Sequence, residues 1–365
     1  MHVAYDHQIF GWQEYGGISR YFFEIAKRIQ TFDECEVEIL APLFVNRYLK
    51  ESSTLLVRGR YVQRLPKTTR VIQGINSRIV RSMLRKAPPD VIHETYYLEK
   101  KLAPSRTRTA ITVYDMTHER YPQFFPASDE TSKRKRAAVE RADHVICISE
   151  NTRSDLIELF GIERRKTSVI HLAASSIRST KSQVPRIIDG PYVAYVGLRH
   201  GYKNFSGLLR AVASSEYLRT NFCIVCVGGE AFTSADRDEV ERLHLKKDRV
   251  IHLKAEDDVL AAVYRDAAVF VYPTLNEGFG LPPLEAMSAG CPVACAQKGS
   301  LPEVCGDAAE YFDPNSPESI AAAIERAVSS PARRQELVGL GQKQIQKFSW
   351  DTCARKTAAV YSNLL

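Results

Sequence analysis

The chain of 365 residues has no run approaching the roughly 18–20 uninterrupted apolar residues that a membrane-spanning helix needs. Its opening, MHVAYDHQIF, lacks the basic segment and apolar stretch of a secretory signal. The expectation is therefore a chain neither inserted nor exported by the usual signal, with the cytoplasm as default. Its eight cysteines are scattered along the sequence, and a large chain without a secretory signal gives no disulfide framework. Cys223 and Cys226 form a Cys-x-x-Cys, but inside FCIVCV, where strand alternation sends them to opposite faces. No further zinc ligands accompany them. A short-period repeat is absent as well. Acidic residues are missing from one stretch: between Ser52 and Pro89, nine Lys and Arg side chains meet no Asp or Glu.

What is present is ordinary for a globular protein, with 44% hydrophobic and 25% charged residues, 19 Gly and 17 Pro. At about 150 residues per domain, the length fits two domains. The net charge of +7 is unevenly shared: residues 1–180 carry 29 Lys and Arg against 21 Asp and Glu, while residues 181–365 carry 21 against 22. The first half either faces something anionic or is well solvated.

Apolar strand-like runs alternate with helical stretches. HVAYD opens the chain, followed by VEILA, DVIH at 90–93, TAITVYD at 109–115, HVICIS at 144–149 and TSVIH at 167–171. Strand alternating with helix predicts a parallel, doubly wound α/β sheet. Between Ala174 and Gly190 the periodicity gives way to Ser, Thr, Lys and Pro, a linker composition. The pattern restarts with YVAYVG at 192–197, FCIVCVGG at 222–229, RVIHL at 249–253, AVFVYP at 268–273 and PVACA at 292–296. The division that follows is residues 1–175, a linker at 176–190, a second domain at 191–347 and a closing helical segment at 348–365.

The richest segment is TLNEGFGLPPLEAMSAGCPV at 274–293, a strand exit, a glycine-containing turn and a helix from about Pro283. Gly278 and Gly280 permit close backbone approach, and a helix start offers amides to an anion. Glu277 and Glu285 stand eight positions apart, and a carboxylate inside the helix can take a pair of ribose hydroxyls. A plain Gly/Pro turn with two solvated glutamates has the same spacing. A second loop belongs to the same domain: YVAYVG ends at Gly197, and Leu198 to Lys203 lead into a helix near Asn204. Open parallel sheets bind ligands at the carboxyl ends of their strands, so both loops share one crevice. There Arg199 and Lys203 are either two surface cations or the groups that stabilise charge developing on a leaving group.

Together, EGFGLPPLE, the runs AMSAGCPVACA and SLPEVCGDAAEYFDP, the Gly-x5-Lys-Asn turn at Gly197 and, near the other end, YGGISRYFFEIAKRI resemble the retaining nucleotide-sugar glycosyltransferases of family 4. The motif subset resembles mannosyl- and rhamnosyltransferases. The resemblance implies a GT-B fold, two Rossmann-like domains facing a central cleft, with the last helix crossing back to the first domain. It implies that Arg199 and Lys203 bind the donor diphosphate, Glu277 with the Phe279-Gly280-Leu281 backbone holds the donor sugar and phosphate, and Glu285 takes the ribose. Gly16 and Gly17 would approach the pyrophosphate from the N-terminal domain. Many members carry a His-Asp pair after the fourth strand; this chain has Tyr114-Asp115, with His118-Glu119 following. Either Asp115 or His118 would then meet the acceptor hydroxyl, while His118 is equally readable as a structural loop histidine.

The expected reaction is transfer of a hexose, mannose from GDP-mannose as first choice, to a glycan or lipid-linked acceptor of surface polysaccharide or lipopolysaccharide. Retention can run through an enzyme carboxylate, yet no carboxylate is placed as a nucleophile, so the leaving diphosphate is expected to guide the hydroxyl on the same face. Neither a cofactor nor a metal is expected. Asp236-Arg-Asp238 lies in a charged helical run that reads as a solvated face. Within 71–85, Ile72, Ile75, Ile79 and Met83 recur at helical spacing with Arg78, Arg81 and Arg85 on another face. That is either a core helix with solvated arginines or a helix resting on an anionic membrane, the reading that the resemblance favours. Alternatives are another donor (dTDP- or GDP-rhamnose, a UDP-hexose), a GT-B nucleotide-sugar epimerase, or a non-catalytic relative. A nucleic-acid-binding protein would fit the basic half, but no recognition module or interleaved aromatics accompany it.

Overall fold

A computed structural model describes residues 1–173, 185–254 and 257–365. Most of the expected linker, 176–184, lies outside the described residues. The chain forms two compact units, Met1–Leu172 with Ser349–Leu365, and Ala173–Phe348.

The first unit is built on seven parallel strands: β1 (His2–Tyr5), β2 (Glu36–Phe44), β3 (Leu56–Tyr61), β4 (Val91–Glu94), β5 (Arg108–Val113), β6 (His144–Cys147) and β7 (Thr167–Val169). They lie in the order β3-β2-β1-β4-β5-β6-β7, so the chain reverses direction across the sheet between β1 and β4. The central strands are buried almost end to end, as a sheet covered by helices on both faces demands. The edge strand β3, LVRGRY, was not expected from the sequence, because it has too little apolar character to read as a strand. It needs little, having one neighbour and an outer side guarded by Arg58 and Arg60, which suits an edge.

The basic helix Thr69–Lys86 differs from its predicted stripe. Its buried positions are Asn76, Val80 and Leu84, whereas Ile75 and Ile79 are 38% and 42% exposed. The reason is the irregularity in β2, whose pairing with β3 shifts register between Leu40 and Leu43. Asn76 satisfies the stranded groups: its Oδ1 accepts from Leu43 N at 2.8 Å and its Nδ2 donates to Leu43 O at 2.8 Å. That anchor turns Val80 and Leu84 into a cluster with Ala4, Leu40, Ile92, Leu102 and Ala103. Arg78 and Arg85 are exposed and Arg81 half-buried.

The closing helix, Trp350–Ser362, is capped by Ser349 Oγ accepting from Thr352 N. It packs within the first unit on the helix Gly17–Ile29, with the Trp350 and Tyr21 rings 6.4 Å apart and Arg28 Nε 2.6 Å from Asp351. Its Tyr361 hydroxyl reaches Tyr5 Oη at 3.1 Å and His93 Nδ1 at 2.6 Å.

The second unit holds six parallel strands: β8 (Tyr192–Val196), β9 (Cys223–Val227), β10 (Val250–Leu253), β11 (Val269–Tyr272), β12 (Val293–Ala296) and β13 (Ala309–Phe312). Their order, β10-β9-β8-β11-β12-β13, puts the reversal between β8 and β11. Strand β13 was also missed in the sequence; it closes one edge, where Glu310 joins Arg326 at 2.8 Å and Arg333 at 2.7 Å.

Candidate functional site

In an open parallel sheet the loops diverge at the reversal point and leave a crevice there. In the second unit those loops are the two singled out by the sequence. From β8 the chain turns through Gly197 (φ 137°) and the single turn Gly201–Lys203 to Asn204, which is left-handed (φ 55°) and precedes the helix Phe205–Ser214. Asn204 holds this uncommon conformation because its Nδ2 donates to Pro273 O at 3.0 Å and to Pro314 O at 2.8 Å. Leu275 N donates to Tyr202 O at 2.8 Å, binding the second loop to the first.

Lys203 and Glu277 are brought together, with Nζ 2.6 Å from Oε1. The Tyr272 hydroxyl, at the end of β11, donates to the same carboxylate oxygen at 2.8 Å and lies 3.2 Å from the Lys203 ammonium. Burial, reinforced by the Glu277 carboxylate, drives the Tyr272 phenol well above its ordinary value, so it stays a hydrogen-bond donor. Ser300 Oγ braces the loop against Glu277 O and Phe279 O, both at 2.9 Å. Gly280 has φ 104°, and a Cβ there would fall 2.7 Å from Leu301 Cδ2, so the turn into the helix Leu281–Ser288 requires glycine. Because Pro282 and Pro283 follow, that helix start presents the N–H groups of Gly280 and Leu281 rather than a full first turn, a smaller anion site than the sequence suggested. Phe279 is buried edge-on to Phe348, ring centroids 5.5 Å apart. Glu285, half-buried one turn into the helix, accepts from Tyr264 Oη at 3.4 Å.

Arg199 is placed differently from Lys203. Its guanidinium donates to Gly228 O at 3.1 Å and to Glu230 O, stacks over the Phe232 ring at 4.8 Å, and lies 3.7 Å from Asp236. Asp236 in turn accepts from Thr233 N and Oγ1, both at 2.8 Å, in a capping box. The Asp-x-Asp is thus the start of a helix, with its first carboxylate committed to the cap.

In the first unit, Gly16 carries extended backbone and Gly17 begins the helix Gly17–Ile29. Asp115 and His118 follow β5. Burial alone would raise the Asp115 carboxyl, but the Lys135 ammonium and hydrogen bonds from Thr117 hold it below its ordinary value. Burial and Lys135 push the His118 imidazole down, towards its neutral form. His118 stacks on Phe125, centroids 3.8 Å apart, its Nε2 3.8 Å from Asp129 and its Nδ1 buried without a partner among the described residues. Lys135 itself is buried, bonded to Asp115 O and Glu119 Oε2, both at 2.8 Å.

Residues 15–174 match the family described as Glycosyltransferase Family 4, and residues 177–344 match Glycosyl transferases group 1. The chain belongs to the family 4 glycosyltransferases. It is 28% identical over 370 residues to the O-antigen chain mannosyltransferase B of Escherichia coli, covering 95% of this chain and 96% of that one. Identity is also 28% over 251 residues to a serotype-specific mannosyltransferase WbdA of Escherichia coli, covering 63% of this chain and 30% of that longer protein. Among solved structures, Anabaena Alr3699/HepE in complex with UDP-glucose superimposes with a TM-score of 0.73 at 20% identity, over 100% of both chains. The fold is GT-B, two Rossmann-like units of seven and six parallel strands, as the sequence led one to expect. Tyr272 lies in none of the motifs, and Asn204 and Ser300, although inside the Lys-Asn turn and the SLPEV run, were given no role by the sequence; their place at the mouth of the β8–β11 crevice gives them one.

Proposed function

We propose that the protein is a retaining hexosyltransferase that takes mannose from GDP-mannose and adds it to a glycan or lipid-linked acceptor of O-antigen or another surface polysaccharide. The observation that carries this is the Lys203–Glu277–Tyr272 cluster at the strand reversal of the second unit. Family membership makes the reaction a glycosyl transfer; the mannosyltransferase names of the two curated relatives support the sugar. Binding of UDP-glucose by the structural neighbour supports a nucleotide-sugar donor of the same general class.

In this reading Lys203 neutralises the diphosphate as the bond to the sugar breaks, and Glu277 both positions the ammonium and receives donor-sugar hydroxyls. Glu285 takes the ribose. Arg199 adds a second positive charge at the phosphates once its carbonyl partners are exchanged for the ligand. Because cations of the chain supply the charge stabilisation, and Asp236 is engaged in a cap, transfer is expected without a metal. The departing diphosphate accepts the acceptor proton on the face it leaves, giving retention.

The test is incubation with GDP-mannose and a membrane-extracted acceptor, with the anomeric configuration of the new bond read by NMR. An α-linked product from the α-linked donor supports the reading. An inverted product, or transfer only from UDP- or dTDP-sugars, overturns it.

A second element favours work at a membrane surface on the cytoplasmic side. No described helix is long and apolar enough to cross a membrane, but Thr69–Lys86 exposes Val71, Ile75 and Ile79 beside Arg78 and Arg85. An apolar ridge flanked by arginines suits an anionic interface. Co-sedimentation with phosphatidylglycerol vesicles, reduced by Ile75→Glu, checks it.

A further inference from the structure

The two carboxylate oxygens of Glu277 stand in different surroundings. Oε1 accepts twice, from Lys203 Nζ at 2.6 Å and from the Tyr272 hydroxyl at 2.8 Å. The lysine also donates to that hydroxyl at 3.2 Å, which closes a ring of three hydrogen bonds. Oε2 has no partner among the described residues, and it is not one of the unpartnered atoms sealed from solvent. The side chain as a whole is nearly covered, at 14% exposed. One oxygen is therefore held by the protein while the other is offered outwards.

The two donors to Oε1 differ in mobility. Lys203 carries its ammonium on a flexible stem, 5.1 Å from the Tyr202 ring centroid and 5.5 Å from that of Tyr272, within the ~6 Å reach of a cation–π contact. It can turn towards a diphosphate and keep an aromatic surface beside it. Tyr272 cannot turn. It is the last residue of β11, is buried, and stacks its ring on Phe270 with centroids 5.7 Å apart. Burial keeps the phenol protonated, so its hydroxyl stays a donor at a point fixed by packing. The terminal torsion of a glutamate is broad and roughly twofold. Once the lysine shifts, the fixed hydroxyl is what keeps the two oxygens from exchanging places.

We propose that Tyr272 is a positioning residue of the transfer: by pinning Oε1 it reserves Glu277 Oε2 for a hydroxyl of the donor sugar while Lys203 moves to the diphosphate. The proposal rests on the reading of this crevice as the donor site and adds to it the residue that sets the orientation of the glutamate. Tyr264 supplies the comparison. It is a second buried tyrosine of the same core, on the helix Asp257–Asp266, edge-on to Phe270 at 5.3 Å, and its hydroxyl reaches Glu285 at 3.4 Å. Removing that hydroxyl also takes one oxygen from the core, but it acts on the ribose side, which a nucleoside diphosphate presents with or without its sugar.

The experiment measures dissociation constants by calorimetric titration of the full chain with GDP and GDP-mannose, and with UDP and UDP-glucose, for the wild type, Tyr272→Phe and Tyr264→Phe. Within each pair the informative quantity is the ratio between the sugar-free and the sugar-bearing nucleotide, because an effect carried by Lys203 falls on the shared diphosphate and cancels. Tyr272→Phe is expected to weaken the sugar conjugate about 10-fold relative to the bare diphosphate, the loss of one hydrogen bond to a charged group. Tyr264→Phe is expected to leave the ratio at its wild-type value. A ratio in Tyr272→Phe within twofold of wild type overturns the proposal, as does an equal change in Tyr264→Phe, which makes it a general effect of deleting a core hydroxyl. In both cases the nucleotides still bind and the donor site stands. Failure of all four ligands to bind the wild type overturns the donor-site reading and the proposal with it. Melting temperatures without ligand confirm that each variant is folded.

Discussion

Lys203 Nζ lies 2.6 Å from Glu277 Oε1, although the residues are 74 positions apart and belong to loops leaving β8 and β11. The pair forms because these two strands are neighbours at the point where the sheet reverses. Each residue restrains the other before any ligand arrives. Replacing Lys203 with Met removes the cation that opposes leaving-group charge and leaves Glu277 uncompensated. Transfer should slow by about 100- to 1,000-fold, the usual cost of deleting one preorganised charge-stabilising group, measured as initial rate at saturating donor. A rate within threefold of wild type would remove Lys203 from the mechanism.

Asn204 acts through geometry. Asn204→Ala loses two hydrogen bonds to Pro273 O and Pro314 O and forces alanine into a left-handed backbone. Destabilisation of about 2–4 kcal/mol is expected from the two terms. Asn204→Gly relieves the backbone but not the lost bonds, so its urea midpoint should fall between Ala and wild type. Equal losses in both variants would show that the backbone term is absent.

Arg199 differs from Lys203 in doing structural work before ligand binds. Its bonds to Gly228 O and Glu230 O and its stacking on Phe232 tie the ends of two strand-exit loops together. Arg199→Ala should lower stability by about 1–3 kcal/mol and also weaken nucleotide binding, seen as a reduced unfolding midpoint together with a raised donor KM. A change in KM with unaltered stability would contradict the packed role.

The fold was legible where burial writes a continuous apolar run: VAY, TAITV and FVY each lie inside a sheet covered on both faces. It was not legible at β3, a mostly exposed strand that carries Arg58 and Arg60, or at β13, where a charged residue, Glu310, is buried because Arg326 and Arg333 pair with it. Nor was the buried face of Thr69–Lys86, because a polar residue, Asn76, sets its rotation by bonding to Leu43 in an irregular strand 33 positions away. At the site, Glu277, Lys203 and Glu285 stand out through spacing and type. Tyr272 and Ser300 look like any strand-end tyrosine or loop serine until the two loops are brought together, and Arg199 looks like a free loop cation until Phe232 and two carbonyls enclose it.

His93 predicts an acid-sensitive first unit. It is fully buried between Tyr361 Oη and Thr112 Oγ1, and burial pushes its imidazole down to about 3. In the unfolded chain it titrates near 6.5, so the unfolded state takes up the proton first. Its contribution is fully present above about pH 6.5 and is lost as pH falls towards 3, with a slope of up to about 1.4 kcal/mol per pH unit. Since Tyr361 belongs to the closing helix, acid should release Trp350–Ser362 early. His93→Gln should flatten the pH dependence of the urea midpoint between pH 6.5 and 4; an unchanged slope would assign it to other groups.

The account depends on the β8–β11 crevice being the nucleotide-sugar site. The direct measurement is the melting temperature with GDP, UDP, dTDP, ADP and their sugar conjugates, for the wild type and Glu285→Ala, since a ligand bound only by the folded state raises it. The account predicts that GDP and GDP-mannose stabilise the wild type and that the shift disappears in Glu285→Ala. Stabilisation that survives Glu285→Ala unchanged, or the absence of any nucleotide effect on the wild type, would contradict it.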